Sequence, residues 1–144
     1  MRHFFIYLLL SFLSSCTKNS SITTSQDLEK LYSVNHSYNK DSQVLSIHIK
    51  LAKGIHAYAP GEAIGKAVKL EVLEQNGWQK IGESSIPAGK SKKIGDINSI
   101  IIENDFIVTQ ALKPGNNPTT AKFYLQVCSN DTCGMPKVYD FIVK

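Results

Sequence analysis

From residue 43 onward the chain is written as short alternating runs, each closed by a turn signal. In residues 43–51, Leu45, Ile47, Ile49 and Leu51 fall on one face, and Val44, Ser46, His48 and Lys50 on the other. A period of two is that of a β-strand with one buried side. A second run, residues 55–59, is stopped by Pro60-Gly61. Val68, Leu70 and Val72 then alternate with Lys69 and Glu71. Asn76-Gly77 is a hairpin signal and predicts that residues 70–75 pair with residues 78–83. Residues 87–95 read as a loop. Strands are expected at 97–102 and 106–112, either side of Glu103-Asn104-Asp105, and at 121–128 and 137–143. Residues 28–35 fit either a first strand or a short helical turn followed by one. Seven to nine short strands without a convincing helix predict an all-β chain folded as an antiparallel β-sandwich. Its core should hold Leu45, Ile47, Ile49, Leu125, Val127 and Phe141, with Tyr139 and Val143 on the same side as Phe141.

The N-terminus reads differently. Arg2 and His3 precede ten apolar residues, 4–13, too few to span a bilayer as a helix and right for the apolar part of a secretory signal. The run ends in Leu13-Ser14-Ser15-Cys16, which resembles a bacterial lipobox. Residues 1–15 are therefore expected to be a lipoprotein signal peptide, and Cys16 the lipidated first residue. Residues 16–27, rich in Ser and Thr, are expected to form a flexible tether, and residues 28–144 one domain. The product is expected to be an exported, membrane-anchored lipoprotein of the bacterial cell envelope, facing the periplasm or the surface.

Composition supports one globular domain: 42% of residues are hydrophobic and 19% charged. The net charge of +4 is mild, and Lys90, Lys92 and Lys93 read as a solvated loop, so no nucleic-acid partner is expected. The sequence has no Gly-rich phosphate loop, no paired catalytic carboxylates and no Cys-x-x-Cys motif.

Of the three cysteines, lipidation of Cys16 would leave Cys128 and Cys133 as a pair. A strand pattern leads into Cys128, turn-forming residues separate it from Cys133, and Gly134, Met135 and Pro136 follow. That arrangement sets two thiols across the neck of a tight turn, within bonding reach. In an exported protein they should rest oxidised. So short a loop gains only about 2 kcal/mol from closure. The pair is either a redox centre or a plain hairpin staple. Alternation turns Cys128 off the core face at a strand end, where a partner could reach it. His56 and Tyr58 share one face of their strand, so an exposed pair could line a site. A soft-metal site could be drawn from Cys128, Cys133, Met135 and His56. The cysteine spacing does not favour it, and no metal or cofactor is expected.

These residues carry a resemblance. Tyr124-Leu125-Gln126-Val127-Cys128, with Cys133-Gly134-Met135-Pro136, resembles the Tyr-Gln-x-Cys…Cys-x-x-Pro block of the N-terminal domain of the thiol:disulfide interchange protein DsbD. Gly54-Ile55-His56-Ala57-Tyr58 is similar to that family's Gly-x-His/Tyr-x-Tyr segment, and Trp78 and Pro87 fall near its Trp and Pro. The resemblance implies an immunoglobulin-like sandwich with Cys128 and Cys133 as the redox pair. His56, Tyr58, Tyr124, Gln126 and Pro136 would flank it. It implies electron relay between a thioredoxin-like donor, fed by a membrane protein, and disulfide-isomerase-type proteins of the envelope. The competing reading is a non-catalytic immunoglobulin-like lipoprotein, a binding module with a structural disulfide. Three features depart from the family pattern. The membrane and thioredoxin-like domains lie outside these residues, so electrons would come from a separate protein. The cysteine spacing is one residue shorter than in the best-known member. The family's acidic, aromatic cap loop aligns near Lys92-Lys93-Ile94-Gly95, which is basic and aliphatic.

Overall fold

The computed structural model describes residues 25–144; the predicted signal peptide, Cys16 and most of the predicted tether lie outside the described residues. A single helical turn, α1 (Ser25–Leu28), leads into eleven strands. The ambiguous start is thus a helical turn and then β1 (Tyr32–Asn39), with Leu28 buried as its anchor. The other strands are β2 (Val44–Leu51), β3 (His56–Tyr58), β4 (Lys69–Val72), β5 (Gln79–Ser85), β6 (Lys90–Ile94), β7 (Ile97–Ile102), β8 (Phe106–Lys113), β9 (Thr119–Leu125), β10 (Val127–Cys128) and β11 (Lys137–Val143).

They form three antiparallel sheets, in the orders β1-β2-β8-β5, β10-β3-β7-β6 and β11-β9-β4. β9 and β10 are one run of chain interrupted at Gln126, and they carry it from the third sheet into the second. One continuous core collects inward side chains from all three: Leu45, Ile47, Ile49 and Val108 from the first, Ala57, Ile102 and Val127 from the second, Leu70, Phe123 and Leu125 from the third. The predicted core residues lie there, Phe141 and Tyr139 half-buried against it. The alternation was reliable because these antiparallel strands have one covered face.

Two local expectations are corrected. Asn76-Gly77 does make the tight turn its sequence demands, with φ of 54° and 86° and Trp78 N–H donating to Gln75 O at 2.9 Å. It does not join a hairpin: β4 pairs with β9 and β5 with β8, so the turn passes the chain between sheets. Turn chemistry fixes a local reversal, whereas burial selects the pairing partner. Here Leu70 and Val72 go into the core behind β4, and Trp78 is buried with Nε1–H donating to Asn117 O at 2.6 Å. The second correction is residues 87–95, which contain strand β6, paired in register with β7 from Lys90↔Ile101 to Ile94↔Ile97. Lys90, Lys92 and Lys93 show no alternation because β6 is an edge strand, where lysines are common and discourage further pairing.

Candidate redox site

Cys128 ends β10 and Cys133 is set against it as an isolated antiparallel bridge, with Cα atoms 4.0 Å apart and the sulfurs bonded. The intervening turn is fixed independently of the disulfide. Ser129 N–H donates to Thr132 O and Gly134 N–H to Val127 O, each at 2.8 Å. Ser129 Oγ accepts from the N–H groups of Asp131 and Thr132. A small hydroxyl residue followed by Asn130-Asp131 is the chemistry such a turn uses.

The two cysteines differ sharply in exposure. Cys128 is fully buried, and Cys133 is exposed. The expectation that a partner could reach Cys128 is therefore corrected. Alternation did turn it off the main core, but that side is covered as well: Cys128 belongs to a second apolar cluster with Tyr58 and Ile101, against which Ile94 packs. Val127, on the opposite side, faces the main core. The same cover corrects the expected exposure of His56 and Tyr58, which are 2% and 9% exposed.

β3 places the aromatic pair. His56 lies opposite Cys128 in the β3–β10 register, and Tyr58 follows on the same face, the two rings edge to face at 5.8 Å. The Tyr58 hydroxyl is 3.5 Å from Cys133 Sγ. Burial, and to a lesser extent Glu62, push the Tyr58 phenol above its usual range, so it stays protonated. Burial pulls the His56 imidazole below its usual range; Lys92 adds to that and Glu103 opposes it. Lys92 on β6 and Glu103, just past the end of β7, are themselves ion-paired.

The loop after β3 closes over this site. Gly65 lies flat on the Tyr58 ring, so close that a Cβ there would fall 1.9 Å from a ring carbon. Lys66 N–H donates to Gln126 Oε1 at 2.8 Å, while Gln126 Nε2 donates to Gly134 O at 3.1 Å. Gln126 thus ties the covering loop to the cysteine turn. Glu62 holds the other end by accepting from Ile100 N–H at 2.5 Å.

The predicted site residues therefore divide. His56, Tyr58 and Gln126 gather round the disulfide with Cys128 and Cys133. Tyr124 bonds Glu71 at 2.7 Å and lines a groove beside Pro136 and Val138, one step away along the surface. Gly65, Ile94, Ile101 and Glu62 were missed as site residues. Ile94 lies in the segment that aligns with the family's cap loop and packs an aliphatic group against the cluster of Tyr58, Ile101 and Cys128. Gly65 carried no signal beyond being a glycine in a loop. Among the described residues no cluster of His, Cys, Asp or Glu is arranged to hold a metal.

Fold and site define a class: a small β-sandwich bearing one disulfide, half buried and half exposed, beneath an aromatic and aliphatic cover. The family profile of the thiol:disulfide interchange protein DsbD, N-terminal, matches residues 26–143, and the chain belongs to that family. The family takes part in thiol:disulfide exchange, works with thioredoxin-like proteins and is periplasmic. Among solved structures, the DsbD N-terminal domain of Neisseria meningitidis, in its reduced form, is similar with a TM-score of 0.61 at 14% identity. The likeness covers 84% of this chain and 93% of that one. It supports the immunoglobulin-like sandwich expected from the sequence. No curated protein matches the chain.

Proposed function

We propose that this protein is an exported thiol:disulfide exchange protein whose Cys133 is the sulfur that meets its partners and whose Cys128 is the buried, resolving sulfur. The observation that carries this reading is the exposure of Cys133 beside a fully buried Cys128. In the reducing direction a donor thiolate attacks Cys133 Sγ. The Cys128–Cys133 bond breaks, and its electron pair goes to Cys128 Sγ. A mixed disulfide with the donor results, and a second donor thiol releases the reduced pair and leaves with the donor's disulfide. In the delivering direction the Cys133 thiolate attacks an oxidised partner, and Cys128 then attacks Cys133 Sγ to expel the reduced partner. The Tyr58 hydroxyl, protonated and within reach of Cys133 Sγ, is placed to donate to the thiolate.

The donor is a thioredoxin-like protein supplied by a membrane electron carrier, and the acceptors are disulfide-isomerase-type envelope proteins. Cys16 anchors the domain to the membrane by lipid, with residues 1–15 removed and 16–27 as tether. Mass spectrometry of the native protein tests the anchor: an unmodified Cys16 or an intact N-terminus refutes it. Trapping tests the exchange. Cys128→Ser should accumulate a mixed disulfide through Cys133 with a thioredoxin-like protein, and Cys133→Ser should not. The turn keeps its own hydrogen bonds, so Cys133→Ser should lose only about 2 kcal/mol, and Cys128→Ser, which puts a hydroxyl into the apolar cluster, about 1–3 kcal/mol more. If neither variant traps a partner and the bond's potential lies below about −300 mV, the pair is a staple and the binding-module reading stands.

A further inference from the structure

Two side-chain polar atoms among the described residues are buried without a hydrogen-bond partner, and one is His56 Nε2. A buried orphan of this kind calls for a reason, because leaving it unpaired costs roughly 1–3 kcal/mol. Its position suggests one. His56 stands directly opposite Cys128 in register. Directly opposed cross-strand residues have Cβ atoms about 4.5–5.5 Å apart, close enough for a ring and a sulfur to meet after a small rotation. While the disulfide is closed, Cys128 Sγ has no proton to share. On reduction it becomes a thiol directly across the strand pair from an imidazole whose Nε2 has no partner. The charged groups acting on this imidazole are Glu103, beyond the end of β7, and Lys92 on β6, joined to each other as an ion pair; Tyr58 faces it from its own strand.

We propose that His56 Nε2 is the proton acceptor of Cys128, vacant in the disulfide state and engaged by the Cys128 thiol once the bond opens. The proposal rests on the exchange reading above and assigns a role within it. In the delivering direction, Nε2 takes the proton of Cys128 S–H. The resulting thiolate attacks Cys133 Sγ in the mixed disulfide, the Cys128–Cys133 bond forms, and the partner leaves as a thiolate. The imidazolium then returns its proton to that thiolate or to water. In the reducing direction the same proton travels back: Cys128 Sγ leaves with the electron pair and is protonated through His56 from solvent. A thiol in apolar surroundings is a poor nucleophile because burial raises its pKa, whereas an adjacent imidazole that takes the proton leaves a thiolate beside an imidazolium, a pairing that lowers the thiol's pKa. This relay answers a problem that the burial of Cys128 creates. The low basicity that burial gives His56 keeps it neutral, hence able to accept, at neutral pH.

The test uses the full chain. In a Cys133→Ser background, the ¹³Cβ resonance of Cys128 reports its ionisation. Replacing His56 by Phe, and separately by Gln, should raise the Cys128 midpoint by about one pH unit, a tenfold loss of thiolate at a given pH. An unmoved midpoint in both variants overturns the proposal. The unsubstituted protein provides a second reading that needs no variant to fold. The ¹⁵N shift of His56 Nε2 should change between the oxidised protein and the protein reduced with excess dithiothreitol, and an unchanged shift also overturns it. The two readings fail separately. A Cys128 midpoint that follows His56 while Cys128→Ser traps no thioredoxin-like partner sinks the exchange reading alone. A trapped partner with an indifferent midpoint sinks the proton transfer alone.

Discussion

Gly65→Ala asks whether the loop after β3 really covers the redox site. The added Cβ would lie 1.9, 2.0 and 2.6 Å from three carbons of the Tyr58 ring. Ordinary carbon contacts lie at about 3.5–4.0 Å, so ring or loop must yield by roughly 1.5 Å. The ring has little freedom to do so. Its residue is paired with Ile101, its O accepts from Val68 N–H at 2.8 Å, and the ring meets His56 edge to face and belongs to the cluster with Ile101 and Cys128. The loop is the softer side, and moving it strains or breaks the Lys66 N–H bond to Gln126. Overpacking costs about 1–3 kcal/mol, and one neutral hydrogen bond about 1 kcal/mol. A loss of about 2–3 kcal/mol is expected, lowering Tm by several degrees. The functional consequence is specific. With the loop lifted, dithiothreitol should reduce the disulfide several-fold faster, read by quenched thiol alkylation. Gly54→Ala is the control. Gly54 has a φ of 82° and open space around its absent Cβ, so it meets backbone strain of about 1 kcal/mol without touching the site. It should lose stability and leave the reduction rate alone. Equal rates in Gly65→Ala and the unsubstituted protein would refute the covering role, and an unchanged Tm would refute the packing.

The other expectations follow from the same contacts. Ile94→Ala trims the aliphatic group packed against the cluster of Tyr58, Ile101 and Cys128 and should speed reduction by dithiothreitol with a stability loss of about 1 kcal/mol, since the side chain is only half-buried; an unchanged rate would remove Ile94 from the cover. Leu125→Ala, fully within the main core, should cost about 2–5 kcal/mol by urea unfolding, and a cost near zero would contradict its burial. His56 gives a pH signature. Its folded pKa is depressed, so the unfolded chain binds the proton first as pH falls below the ordinary value of 6.5. Stability should therefore decline on acidification from neutral through that value, before the carboxylates titrate, and His56→Gln should lack that part of the decline. Matching pH profiles for the two proteins would refute it.

How much of this was legible in the sequence depends on what each residue's signal measures. Alternation reports which residues share a face, and it placed Leu45, Ile47, Ile49, Leu125 and Val127 correctly because each lies on the side of its strand that faces the main core. It could not report that the other face of β3 and β10 is covered too, because that cover comes from Ile94 and Ile101, distant in sequence and unremarkable in type. Turn chemistry located Asn76-Gly77 correctly, yet it could not choose a pairing partner, since that is decided by Trp78 and Leu70 finding the core. The cysteine pair was readable because spacing, flanking strand and turn residues agree. Its asymmetry was not, since burial of Cys128 depends on side chains brought in by β3, β6 and β7. Gln126 was readable only through family resemblance. Its reason is now physical: one amide spans the covering loop and the cysteine turn.

The site's position would let the disulfide open without disturbing the fold. The core that supplies most of the burial lies on the far side of Val127, Ala57 and Ile102. The disulfide belongs to a small cluster on the opposite face. The turn that carries Cys133 is held by backbone and Ser129 hydrogen bonds that do not pass through sulfur. Opening the bond therefore removes only the modest entropic gain of a short loop, a small part of what a sandwich of this size gains from its core. A staple would gain most by closing a long loop between sheets. This bond instead closes a short loop that is already fixed, and it puts one sulfur at the surface while sheltering the other. An exchangeable bond would benefit from that arrangement, which leaves Cys133 open to a partner and keeps Cys128 buried across the strand pair from His56.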